Sequence, residues 1–275
     1  MRQLLDQQWL IQSPELLKLD ARLSAQYMLN KAQASQAFEF IPTHRLGVYF
    51  EQLWHHLIDS NHQFQLLHKN RQVIIDKHTF GEFDSIIYDV MAKKTSHCEL
   101  TIKLYLKVGE GDALTDWVGP NLKDRFDVKL NRLFKHQLQL SDNPRIKDWL
   151  YDNKIVIDAK KLLTKGRLFY PYQDYLASQF NFPNQVNPEH GKGFWLTYSQ
   201  LSEVLIETKY QWYQLPRLYW LSEIESLDSE LLPIDRNYKN FNLQKIVALE
   251  NGKEVMRGFV VTDEWLHKAE QRILN

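Results

Sequence analysis

Cysteine is almost absent from this chain: Cys98 is the only one. A single thiol closes no intramolecular disulfide, and on what reads as the apolar face of a strand it is a small core residue rather than a nucleophile. Long apolar runs are missing as well. None approaches the roughly 18 residues of a helical membrane span, and the N-terminal MRQLLDQQWLIQ has an acid and glutamines where a signal peptide keeps an unbroken apolar stretch. The expectation is a cytoplasmic protein with no membrane partner. Net charge is absent too. The 34 basic and 34 acidic residues cancel, so no global positive field draws in a polyanion, which argues against a tight, non-specific nucleic-acid binder but leaves room for a local basic patch. There is no P-loop, GxGxxG, GxSxG or HExxH, no paired Cys/His spacing for zinc, no regular repeat and no low-complexity segment.

What is present suits a globular protein: 275 residues, 44% hydrophobic and 13% aromatic, are ample for a buried core. The first forty residues read as helical, with Ser13-Pro14-Glu15 as the cap and first turn of a second helix at Leu16-Leu17. After Pro42, Leu46, Phe50, Leu53 and Leu57 recur at the i, i+4, i+7, i+11 spacing of one buried helix face, and Glu51 sits at its margin. Strands are expected at about 72–76, 82–89 and 98–107, a meander of three.

Asn121, with Asp124 behind it, reads as the cap of a long helix whose apolar side carries Leu122, Phe126, Leu130, Leu133 and Leu138. Arg125, Lys129, Arg132 and His136 form a basic stripe beside it; taken singly each is an ordinary solvated residue, and together they suit phosphate contact. Gly166 to Pro171 reads as a strand that returns after this helix and pairs in parallel with the meander. Beyond a turn-rich stretch from Tyr172 to about Gly193 come short aromatic strands around Phe194-Trp195, Trp212-Tyr213 and Arg217 to Trp220. A hairpin turning at Asn251-Gly252 and a terminal helix capped by Asp263 follow. The aromatics could stack on bases, but spread over the whole chain they are more often core.

The fold class expected is α/β: a mixed central sheet flanked by helices over 46–172, an N-terminal helical layer over 1–45, and a C-terminal aromatic-rich α+β extension over 173–275. Its unusual part is Phe80 to Lys107. Alternation on the last of the three strands puts Cys98, Leu100, Ile102, Leu104 and Leu106 on one face and Glu99, Thr101, Lys103, Tyr105 and Lys107 on the other. With Asp84 on the preceding strand, that second face is either wet or the floor of a site where two carboxylates and an amine converge. A reversal centred at Ala92 sets Asp84 opposite Leu100, beside Glu99; one centred at Lys94 sets it opposite Leu104 and makes an Asp84–Lys103 ion pair.

The order helix, three strands, helix, strand, with Gly81-Glu82-Phe83-Asp84 on one strand and Glu99-Leu100-Thr101-Ile102-Lys103 on the next, resembles the PD-(D/E)XK nuclease superfamily over roughly Leu46 to Tyr170. Over its length the chain also looks like an uncharacterised family of bacterial proteins of unknown function. The nuclease resemblance implies a restriction-endonuclease-like core and Mg²⁺- or Mn²⁺-dependent cleavage of DNA or RNA. Asp84 and Glu99 would hold the metal with Glu51 completing the cluster, Lys103 would serve the attacking water or the phosphate, and Arg125, Lys129 and Arg132 would position the backbone. The chain departs from the pattern at Thr101, where lysine is expected; Lys103 faces the same way about 6 to 7 Å further along the strand. The alternative that follows is a catalytically inactive relation that binds nucleic acid or protein. Oligomeric state is not written in the sequence.

Overall fold

The computed structural model describes residues 1–36, 38–207, 209–234 and 244–274. Its elements, in chain order, are α1 (Arg2–Gln12), α2 (Leu46–Asp59), β1 (Phe64–Ile75), β2 (His78–Asp89), β3 (Lys94–Lys107), β4 (Trp117–Val118) and α3 (Phe126–Arg132). A π turn (Leu133–Gln137) continues α3, and α4 (Pro144–Asp152), β5 (Ala159–Pro171), α5 (Tyr172–Leu176), β6 (Gly191–Thr197), α6 (Tyr198–Glu207) and β7 (Gln211–Gln214) follow. The chain closes with β8 (Leu232–Pro233), β9 (Gln244–Glu250), β10 (Lys253–Val261) and α7 (Asp263–Leu274). This is a mixed α/β fold. It divides into two compact units: Met1–Ile102 with Lys129–Lys165, and Lys103–Val128 with Gly166–Asn275.

In the first unit β1, β2 and β3 form the expected antiparallel meander, with longer strands than the sequence suggested. Asp76 and Lys77 both have positive φ (50° and 64°), the two-residue turn whose twist matches a hairpin. The β2–β3 reversal is held by Asp89, whose Oδ1 accepts the N–H groups of Met91 and Ala92, with Lys93 in the left-handed region. Its register pairs Ser85 with Cys98 and Asp89 with Lys94. The reversal is therefore centred between Met91 and Ala92, and that register, continued one residue past the last pair, sets Asp84 level with Glu99. The Lys94-centred register, and with it the Asp84–Lys103 pair, is not formed.

Helix α2 buries Phe50, Leu53 and Leu57, as its spacing predicts; Leu46 is only half-buried, and Trp54 and Ile58 are buried as well. Val73, Phe83, Ile86, Leu140, Ile146 and Leu150 make one core cluster of this unit. The second N-terminal helix does not form. Ser13, preceding Pro14, turns extended (φ −63°, ψ 141°), the conformation that proline's ring imposes on its predecessor. Leu16 then donates its N–H to the Thr164 carbonyl (2.8 Å) and Leu17 to Thr164 Oγ1 (3.2 Å), so the segment lies along β5 instead of coiling. At the start of β5 the Asp158 N–H meets the Thr95 carbonyl (2.8 Å).

In the second unit Gly166 abuts the Lys103 carbonyl. Both contacts join residues 63 apart in sequence, so β5 runs in the direction of β3, the parallel return expected of it. The sheet then continues with β6 parallel to β5 and β10 parallel to β6, and antiparallel through β9, β7 and β8. Phe169, Trp195, Phe259 and Trp265 fill one core and Phe194, Trp212, Ile246 and Val260 another, so these aromatics are packing residues.

Three local expectations are corrected here. Leu122 has φ 61° and Asn121 Oδ1 accepts the Lys123 N–H, a turn that delays α3 to Phe126. The segment from Arg217 to Tyr219 is a 3₁₀ turn, following Pro216, and not a strand. The first turn of α7 is capped by Thr262, whose Oγ1 accepts the Trp265 N–H at 3.0 Å, rather than by Asp263. The Asn251-Gly252 turn is as expected, with φ 53° and 79°.

Candidate functional site

Most of the polar face of β3 is buried, Lys103 alone being half-exposed. Glu99 and Tyr105 are fully buried and Thr101 and Lys107 nearly so. Sheet residues covered on both faces must find partners for their polar groups inside the protein, and those partners define what the face does.

Within the first unit, Asp84 on β2 and Glu99 on β3 lie on adjoining strands, and Asp84 feels the Glu99 charge. Burial, and then the Glu99 carboxylate, push the Asp84 carboxyl up to about 8, against the hydrogen bond it accepts from the Leu100 N–H (2.8 Å). Burial likewise raises Glu99 to about 7; the Lys129 ammonium and a hydrogen bond from Gln137 oppose the rise, while Glu82 and Glu51 add to it. Both Glu99 oxygens are engaged: Gln137 Nε2 donates to Oε2 (2.9 Å) and His97 Nε2 meets Oε1 (2.8 Å). That second contact is no ion pair. Burial depresses His97 to about 3, so the ring is neutral and donates Nε2–H, packed edge-on against Phe83.

Glu51 projects from α2, half-buried, and its carboxyl is raised by desolvation. Asn70 joins it to Glu82: Nδ2 donates to Glu51 Oε2 at 2.7 Å and lies 3.4 Å from Glu82 Oε1. Asn70 itself has φ 48° in the middle of β1, a conformation strands do not use and one that asparagine tolerates better than most residues. Helix α2 is fixed over the pair because Trp54 Nε1 and His55 Nε2 both meet Ser85 Oγ (3.1 and 3.0 Å), and His55 Nε2 also meets the Asp84 carbonyl (3.1 Å).

Of the residues singled out from the sequence, Glu51, Asp84 and Glu99 are thus electrostatically joined in the first unit. Lys129 and Arg132, on α3, belong to that unit; Lys129 Nζ donates to Gln137 Oε1 (2.8 Å), and Arg132 is exposed. Lys103 and Arg125 belong to the second unit. There Lys103 Nζ donates to Asp124 Oδ2 (2.9 Å), which also accepts the Tyr105 hydroxyl (3.2 Å). Arg125 precedes α3, grips Asp127 through Nε and Nη2 (2.7 and 3.1 Å) and donates to the Arg272 carbonyl (2.7 Å), so the basic stripe does not begin with it.

Sequence reasoning passed over Glu82, Asn70, His97 and Gln137. Glu82 shares a strand face with Asp84, and His97 with Glu99, a period-2 signal that was there to be read. Asn70 and Gln137 carried no such signal, since their roles depend on a left-handed residue inside a strand and on a π turn. Among the described residues no group of three or more His, Cys, Asp or Glu is arranged to hold a metal ion. A cavity of about 1110 Å³ lies elsewhere in the unit, lined by Leu150, Tyr151, Ile155 and Val156 with Asp142 and Lys160, and takes in none of Glu51, Glu82, Asp84 and Glu99.

Among the described residues no helix is long and apolar enough to cross a membrane. The family described as a domain of unknown function, DUF1853, matches residues 5–261. No curated protein matches the chain, and no solved structure does.

Proposed function

The chain belongs to the DUF1853 family, and for this member we propose a Mg²⁺- or Mn²⁺-dependent hydrolase of nucleic-acid phosphodiester bonds, with Asp84 and Glu99 as its metal-holding pair. The observation that carries the reading is the burial of these two carboxylates on adjoining strands, where each is raised first by desolvation and the Glu99 charge raises Asp84 further. Two like charges kept out of water are costly to a fold and are relieved by a cation or a proton. An all-oxygen donor set suits a hard divalent ion, and Mg²⁺ is commonly held by one or two carboxylates with water and substrate phosphate completing its shell, so a third direct ligand is not required. Apart from the short β4 and α4, the order α2, β1, β2, β3, α3, β5, with Glu51 on α2, Asp84 on β2 and Glu99 on β3, is also similar to the PD-(D/E)XK nuclease core.

When bound, the metal supplies Lewis acidity at the phosphate and a more acidic water. The protein's part is to keep Asp84 and Glu99 in place through the Leu100 N–H, Gln137 and His97, and to add negative potential from Glu51 and Glu82. Lys129 and Arg132 would position the phosphate backbone without reading sequence. A second reading, a catalytically silent module that binds nucleic acid or protein, draws on one observation: Lys103, the displaced stand-in for the lysine that the nuclease pattern puts at position 101, is committed to Asp124.

Calorimetry with Mg²⁺ and Mn²⁺ separates the two. The hydrolase binds metal as wild type and not as Asp84→Asn or Glu99→Gln, and cuts mixed-sequence DNA or RNA only in the metal-binding form. A wild type that takes up no metal sinks the enzyme and leaves the silent module.

A further inference from the structure

The motif ELTIK leaves the candidate site without its lysine, yet a different amine reaches it. Lys129 Nζ donates to Gln137 Oε1 (2.8 Å) and Gln137 Nε2 donates to Glu99 Oε2 (2.9 Å), so a two-bond chain runs from the ammonium to the buried carboxylate. Lys129 is also the cation that acts most strongly on Glu99.

This chain depends on a local irregularity. Residues eight apart in an uninterrupted α-helix are about 12 Å apart along the axis and about 80° apart around it, at 100° and 1.5 Å per residue. Lys129 and Gln137 would then face different ways. The helix instead passes into the π turn at Leu133–Gln137, closed by the Leu138 N–H donating five residues back to the Leu133 carbonyl (2.9 Å). The wider turn takes up angle, and Gln137 comes round beneath Lys129 while Leu133 and Leu138 stay buried. A turn of this kind inserted in a short amphipathic helix costs hydrogen-bond geometry, and here it sits where the only side-chain bridge to Glu99 from outside the sheet is made among the described contacts.

Resting on the hydrolase reading, we propose that Lys129, aimed by the π turn and steadied by Gln137, is the amine of the site in place of the displaced Lys103, and that its ammonium meets the non-bridging oxygens of the phosphate held at Asp84 and Glu99. An ammonium fixed beside a phosphate offsets the charge that builds on it during displacement. Gln137 is the positioning residue: it holds the amine at the carboxylate through hydrogen bonds without sharing its proton.

The test compares Lys129→Met, Lys129→Arg and Lys103→Met with wild type, reading both cleavage of labelled mixed-sequence DNA and RNA and Mn²⁺ affinity by calorimetry. Loss of a single stabilising donor lowers the rate about 100- to 1,000-fold in Lys129→Met, with partial recovery in Lys129→Arg and less than about threefold change in Lys103→Met. Removing a neighbouring positive charge also tightens Mn²⁺ binding a few-fold in Lys129→Met and not in Lys103→Met. Mn²⁺ affinity unchanged in Lys129→Met, or a rate loss that falls on Lys103→Met instead, overturns the assignment while leaving the hydrolase standing. A wild type that binds Mn²⁺ but cleaves nothing removes the hydrolase and the amine's role with it.

Discussion

The Asp84 carboxylate accepts the backbone N–H of Leu100 at 2.8 Å, on the peptide that directly follows Glu99. The paired ladder between β2 and β3 ends one residue earlier, at Ser85 and Cys98, so a side chain takes over where the regular pairing stops. Asp84 is therefore two things at once: the strap that satisfies a buried donor, and one half of the acidic pair.

Those two roles come apart in mutants. Asp84→Asn keeps an acceptor for the Leu100 N–H and removes the charge; it should fold at least as stably as wild type near pH 8 and bind no Mg²⁺. Asp84→Ala orphans the donor and should cost about 1–3 kcal/mol. Urea melts of the two variants, read as midpoint shifts at constant slope, check the difference.

Stability should fall as pH rises. Asp84 is raised from 3.8 to about 8 and Glu99 from 4.5 to about 7, so across that window the folded state binds more protons than the unfolded one. Each such proton tilts the metal-free folding equilibrium against the native state by about 1.4 kcal/mol per pH unit. The expected result is a melting temperature that declines from pH 5 to pH 8, a shallower decline in Asp84→Asn, and recovery at pH 8 on adding Mg²⁺, because bound cation replaces bound proton. A flat profile in wild type would contradict the pairing of the two carboxylates.

Ser85 holds α2 against β2 by meeting both Trp54 Nε1 and His55 Nε2. Ser85→Ala leaves a buried indole N–H without this partner and should cost about 1–3 kcal/mol. Because the same contacts seat α2 and its Glu51, metal affinity should weaken along with the melting temperature. A variant that destabilises but binds Mg²⁺ as wild type would show that Glu51 takes no part.

Gly166 has φ 152°, and a Cβ there would stand 1.9 Å from the Lys103 carbonyl oxygen. Backbone against backbone cannot yield as a side chain can, so Gly166→Ala should cost about 3 kcal/mol or more. Loss of soluble expression, or a melting temperature lowered by many degrees, is the expected outcome; a neutral result would mean that β3 and β5 do not approach at this point.

The extent to which the site was legible follows from the range of the interactions involved. Strand alternation fixes the side of each residue, but two registers stayed open, one setting Asp84 beside Glu99 and one beside Lys103; the observed register differs from the first by one residue. Glu82 and His97 were within reach of the same rule. The partner of Lys103 was not: Asp124 reaches it from 21 residues away, after a turn at Leu122 that the helix pattern of Leu122, Phe126 and Leu130 conceals. Nor was the helix at Leu16-Leu17, where Ser13-Pro14-Glu15 is an acceptable helix start until Thr164 offers hydrogen bonds to an extended chain instead.

By itself, then, the sequence determined the mixed α/β class, the three-strand meander with its charged hairpin, the buried face of α2 and the Asn251-Gly252 turn, all of which rest on periodicity and turn chemistry between residues close in the chain. Only the tertiary structure decided that most of the far face of β3 is buried, that Asn70 ties Glu51 to Glu82, that Lys103 is held by Asp124, and that a π turn delivers Lys129 to Glu99 through Gln137. Those outcomes turn on which polar groups are denied water and on what else the fold brings within hydrogen-bonding reach, and desolvation is a property of the packed molecule rather than of any stretch of the chain.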